Sequence, residues 1–167
     1  MTEIQKYSVL ETRNGFEIRD YEPHILLTTI ESGNLNSAGN RAFSKLANFI
    51  FGGNAKDQKI AMTAPVLEVP AGDGYAVSFV MPSDMRLEDM PQANPGLAIR
   101  EMPAAKYAAI KFAGLATDEL FSRKEQQLRE ALKSGGFPSS GAAEYARYNG
   151  PWTPFFMRRN EVLIPLS

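Results

Sequence analysis

The chain has 167 residues, no cysteine and a single histidine, His24. Without thiols there is no disulfide scaffold, thiolate zinc centre, iron–sulfur cluster or cysteine nucleophile. One imidazole cannot make a three-histidine metal site, and any Ser–His–acid triad would have to be built on His24. An excess of one charge is missing too: 18 Lys and Arg stand against 19 Asp and Glu, a formal net charge of −1. Proteins that bind nucleic acid by displacing counterions normally carry a basic surplus, so nucleic acid is not an expected partner. No apolar run is long enough to cross a bilayer, and Met1-Thr-Glu-Ile-Gln-Lys6 has no apolar signal core. The expectation is a cytoplasmic protein with no membrane contact.

With 44% hydrophobic and 22% charged residues, the composition is that of a globular chain. Residues 1–167 read as one domain, large enough to bury roughly 70% of its unfolded surface. Alternation of period two dominates the beginning. Tyr7 to Glu11 is followed by a turn at Arg13-Asn14-Gly15, then by Phe16-Glu17-Ile18-Arg19 and by the β-branched run Ile25 to Ile30. The period then changes: Ala42, Phe43, Leu46, Phe49 and Ile50 share one helical face, with Asn36 or Ser37 as cap and Gly52-Gly53 as terminator. Strands follow at 59–69, 75–81, 97–102 and 105–112. A second helix, capped by Thr117 or Asp118, buries Phe121, Leu128, Ala131 and Leu132 and stops at Gly135-Gly136. Strands at 144–148 and 160–166 enclose an aromatic, Pro-rich loop, 150–157.

That order contains a repeat. The spacing from Ile18-Arg19-Asp20 to Ile99-Arg100-Glu101 also separates Gly33 from Gly114, each just ahead of a helix that ends in Gly-Gly. Two strand–strand–helix–strand–strand halves, about 7–82 and 96–166, therefore fit the chain, and neither could cover its own sheet face. The predicted class is α+β: a distorted, mostly antiparallel β-barrel of two pseudo-symmetric halves with two flanking helices.

Several motifs in this order resemble the SOUL family of haem-binding proteins. They are Phe16-Glu17-Ile18-Arg19 with Tyr21, Gly53-Asn54, and above all Lys59-Ile60-Ala61-Met62-Thr63-Ala64-Pro65-Val66. Phe112 with Gly114, Tyr145 with Tyr148-Asn149, and Arg159-Asn160-Glu161-Val162 complete the set, which runs from about Tyr7 to Leu166. The resemblance implies a two-half barrel with two helices, a fold shared with effector-binding domains of the gyrase-inhibitor type. It also implies non-covalent binding of haem or another tetrapyrrole in an apolar cleft beside the first helix and the late loop.

A tetrapyrrole needs apolar walls and a few cationic or hydrogen-bonding groups at the rim. Asn40, Phe43 and Ala47 on the first helix, and Trp152, Phe155, Phe156 and Arg158 in the late loop, are the candidate contacts, with Met157 and Arg159 beside them. Phe43 reads equally as a core residue of an amphipathic helix. Some family members carry His where this chain has Asp20, and that His has been viewed as an iron ligand. Here His24 lies four residues further on, next to Pro23, and reads either as a ligand on an inward-turned loop or as a solvent-facing residue at a strand start. Binding without an axial side chain is also compatible with the family. Met62 reads as core, and Pro65, which cannot donate to a ladder, belongs at an edge or bulge. Glu161 falls on the opposite face from Asn160 and Val162. It is either half of a buried ion pair, with Arg19, Arg100 or Tyr148 as partner, or a general base with Tyr148 or Tyr145 as donor. The leading function is a tetrapyrrole carrier, buffer or sensor. The alternative is a cofactor-independent hydrolase or effector-binding domain using the cavity.

Overall fold

A computed structural model describes residues 2–167. The chain runs through strands β1 (Glu3–Ile4), β2 (Tyr7–Arg13), β3 (Phe16–Tyr21) and β4 (His24–Ser32), helix α1 (Leu35–Ile50), then β5 (Thr63–Ala64), β6 (Val66–Ala71) and β7 (Gly74–Val80). The second part contains β8 (Ala98–Met102), β9 (Ala105–Phe112), α2 (Asp118–Gly135), β10 (Glu144–Arg147) and β11 (Asn160–Pro165). Short 3₁₀ turns occupy Leu87–Asp89 and Phe155–Met157.

Nine strands form one antiparallel sheet in the order β2-β3-β9-β11-β10-β6-β7-β4-β8, while β1 pairs in parallel with β5. With β2 set aside, the order is the same from either end when each half is exchanged for the other. The register follows suit: Ile18 pairs with Ala108 and Ile99 with Leu27, so both ladders keep the sequence spacing of the repeat. Closure into a barrel is not seen among the described residues, because the order is linear and ends at β2 and β8. A bulge between Val9 and Glu11 interrupts β2, and exposed charges such as Arg13 line it, both common ways of blunting an edge.

The sheet buries both faces. On one, α1 packs over β4 and β7 and α2 over β9 and β11. Phe79, Val77, Ile110, Val162 and Ile164 meet Leu46, Phe49, Phe121 and Leu128 there. On the other, all nine strands contribute to a second, smaller core, from Tyr7 on β2 through Tyr21, Ala109, Leu163, Ala146, Leu67, Val80 and Leu26 to Met102 on β8. Both end strands, β2 and β8, thus contribute to this second core.

The cap of α1 differs from expectation. Asn34, not Asn36 or Ser37, accepts from Ser37 N at 2.8 Å. Starting one residue after Asn34 lets Leu35 enter the helix fully buried, which a later cap would prevent. At α2 Thr117 caps, freeing Asp118 to accept from Leu35 N at 2.7 Å and from Tyr75 OH at 3.1 Å. The two helix entrances are thereby tied together. The expected strand 59–69 divides at a cis Ala64–Pro65 peptide, where β5 ends and β6 begins.

Candidate functional site

Gly33 and Gly114 hold equivalent corners. Both have positive φ, and each donates its N–H into the hairpin of its own half: Gly33 to Asp73 O at 3.2 Å, Gly114 to Phe155 O at 3.0 Å. In the first half the hairpin is the short turn at Gly72-Asp73. In the second it is the whole loop 148–159. Trp152, Phe155, Phe156 and Met157 stand 82%, 57%, 66% and 65% exposed on it, an apolar group left uncovered among the described residues.

The loop is stapled from within. Arg158 donates to Thr153 O at 2.8 Å and Pro151 O at 3.1 Å, and Arg159 N donates to Asn149 Oδ1 at 2.6 Å. Arg158 and Arg159 therefore do not form the pair of unengaged rim cations that their sequence suggests. On α1, Asn40 is exposed and Phe43 is 43% exposed, its ring edge-on to Phe79 at 5.4 Å. Ala47 lies inside the core. The contacts described anchor Phe43 on β7 and the late loop on the β9–α2 corner.

Glu161 is fully buried on the face away from the helices. Its carboxylate accepts from Arg19 at 2.7 and 2.9 Å, from Tyr148 OH at 2.9 Å, and from Arg159 at 3.0 and 2.9 Å. Arg19 and Glu161 stand on β3 and β11 with β9 between them, so the pair joins the two halves. Burial pushes this carboxyl up, but the Arg19 hydrogen bonds and the charges of Arg19 and Arg159 prevail and hold it below the usual range. Five donors fill the roughly four acceptor positions of a carboxylate, leaving no lone pair for a substrate proton. Tyr148 is driven in the other direction, upward, by burial and by Glu161. This is the arrangement of a structural ion pair, and the general-base alternative lacks a free acceptor.

Sequence reasoning missed two features. Glu68, on β6, is fully buried beneath α1 and takes one bond from Arg147 at 2.9 Å, while its Oε2 has no partner among the described residues. Burial, opposed by Arg147 and aided by Asp118, raises its pKa to about 7. Nothing in Val66-Leu67-Glu68-Val69 marks the glutamate as buried. The second is a cleft of about 350 Å³ lined by His24, Met81, Met85 and Met102, where strand pairing brings His24 and Met102 together. Within the Lys59–Val66 motif, Thr63 Oγ1 donates to Val80 O at 2.5 Å and Met62 packs on the core, so these two residues serve the frame.

Residues 2–165 match the family described as SOUL heme-binding protein. The chain belongs to that family. Heme-binding protein 2 of Homo sapiens is 29% identical over 159 residues, covering 90% of this chain and 77% of the human one. In fold, the chain is similar to the EcmrR C-terminal domain, with a TM-score of 0.70 at 12% identity, 96% of this chain and 98% of that one being covered. A hydrolase from Listeria innocua matches with a TM-score of 0.60 at 9% identity, covering 95% and 94%. At such identities these two likenesses concern architecture alone. Among the described residues no helix is long and apolar enough to cross a membrane.

Proposed function

We propose that the protein binds haem or a related tetrapyrrole non-covalently and acts as a carrier, buffer or sensor without turnover. Trp152, Phe155, Phe156 and the Phe43 flank of α1 would supply the walls, with Asn40 as a hydrogen-bonding group at the rim. Ala47 would act from beneath, keeping that flank of α1 small. Arg158, which also holds the loop in shape through Thr153 and Pro151, would add a cation at the rim. Membership in the haem-binding family supports this reading, and the observation that carries it is the stapled loop with its four exposed apolar side chains. Exposed apolar groups clustered in this way mark sites of association. The reading does not need a closed barrel.

Trp152 is the sole tryptophan, so its fluorescence reports on the loop alone. Titration with haemin should shift the Soret band and quench Trp152 at micromolar ligand. Replacing Trp152, Phe155 and Phe156 together by alanine should weaken binding by about tenfold or more, that is by at least about 1.4 kcal/mol. The melting temperature should hardly move, because these side chains are exposed. Absence of both a Soret shift and quenching in the unaltered protein would overturn the proposal.

A further inference from the structure

His24 opens β4, where it pairs with Met102 at the end of β8. On the other side of β4 the end of β7 continues into Met81, whose N–H donates to Ile25 O at 2.9 Å. Between these ends, the Gln5-Lys6 segment and the start of the 82–96 loop lies the 350 Å³ cleft, within the size range of small-molecule sites. Ile25, Val80 and Met81 are buried there and Met85 and Met102 half-buried, so much of the wall is apolar. None of Asn40, Phe43, Ala47 or the late-loop residues belongs to this cleft.

The polar part of the lining has acceptors to spare. Gln5 is only 8% exposed, and its side-chain amide makes no hydrogen bond among the described residues. An amide so placed and left unpaired is costly, and a ligand in the cleft could supply its partner. His24 Nδ1 lies 2.8 Å from Glu22 O, and since a carbonyl only accepts, Nδ1 carries the proton and Nε2 keeps its lone pair. Burial lowers the pKa of His24 below its ordinary value, against the opposing pull of the Glu22 carbonyl, so the ring is neutral at pH 7. The charges lean the same way. Arg86 lies 3.8 Å from Glu88, which leaves Lys6 as the remaining cation against Glu22 and Glu101. Neither of these two acids enters an ion pair among the described residues. A wall with surplus acid draws in positive charge and turns anions away. Among the described residues no three His, Cys, Asp or Glu side chains gather to hold an ion, so the donor set suits an organic cation better than a bare metal. A primary ammonium carries one charge and three N–H donors, the complement of these acceptors.

We infer that this cleft binds an organic primary ammonium, its N–H groups directed at His24 Nε2 and the Gln5 amide oxygen, its charge offset by Glu22 and Glu101, and its apolar body against the methionines. The inference is independent of the tetrapyrrole reading and of the aromatic loop. The test uses the full chain, titrated in parallel with phenethylamine, with neutral phenylethanol and with anionic phenylpropionate. His24 is the sole histidine, so its imidazole NMR signals report on the cleft alone. Phenethylamine should shift them saturably and bind at least about tenfold more tightly than either analogue. Glu22→Gln and Glu101→Gln, both at exposed positions, should each weaken phenethylamine by about threefold or more and leave phenylethanol within about twofold. Their melting temperatures should match that of the unaltered protein. Gln5→Met, which keeps the length of the buried side chain, should weaken the amine in the same way. Saturating phenethylamine should leave Trp152 fluorescence and haemin titration unchanged. Equal affinity for amine and alcohol, a shift that grows without saturating, or no shift at all would each overturn the inference, and none of these results bears on the tetrapyrrole reading.

Discussion

Glu161 and Glu68 are both wholly buried, and their neighbours decide which charge state each keeps. Glu161 has two arginines and a tyrosine and remains ionised. Its presence was legible in the sequence, because alternation from Asn160 and Val162 turns it to the other face, where Arg19 also points. Glu68 has only Arg147 and an unpaired oxygen, and its folded pKa of about 7 exceeds the ordinary 4.5. An acid whose pKa rises on folding takes up protons with the native state, so its contribution to stability is complete below pH 4.5 and declines as pH rises towards 7. Glu68→Gln should therefore change stability little at pH 4.5 and raise it at pH 8 by on the order of 1–3 kcal/mol. Denaturant melts at the two pH values check this. Equal effects at both would show that the carboxyl does not titrate in this range. The burial of Glu68 could not be read from the chain, since its cause is the close approach of α1 at Gly39, far earlier in sequence.

That close approach explains Gly39. Glycine inside a helix is roughly 1 kcal/mol worse than alanine, yet Gly39 sits in the buried face of α1. A Cβ at this position would lie 2.8 Å from Glu68 Oε1 and 2.9 Å from Arg147 Nη1. Gly39→Ala should thus destabilise the protein by about 1–3 kcal/mol, against helix propensity, through forced displacement of packed groups. Adding Glu68→Ala should recover part of the loss, and a double-mutant cycle on melting measures how much. At the level of elements most of the fold was legible: both helices, the hairpins and the late loop follow from periodicity and turn residues. The cap of α1 was not, because Asn34, Asn36 and Ser37 are equally good cappers locally, and the burial of Leu35 chooses among them. Likewise the His24 cleft escaped, since Met102 reaches the neighbourhood of Met81 and Met85 only through the pairing of β8 with β4.

Across the whole molecule, every route from one side of the sheet to the other crosses between halves: β3 pairs with β9, β10 with β6 and β4 with β8. Residues 2–82 and 96–167 made as separate polypeptides should each lack a cooperative thermal transition, and mixing them should restore one, followed by circular dichroism. A cooperative melt of either alone would contradict the interleaved order. The repeat itself was visible in the sequence through Ile18 and Ile99, but the linear end of the sheet at β2 was not, because β2 has no counterpart in the other half. Two hairpins hang from equivalent glycine hinges, one tight at Gly72-Asp73 and the other enlarged at 148–159. Since no ladder passes through that corner, its length and chemistry can drift or be redesigned without disturbing a single strand register. The duplicated frame thus leaves one corner as a changeable socket, where new ligand preferences can be fitted while the rest of the architecture stays fixed.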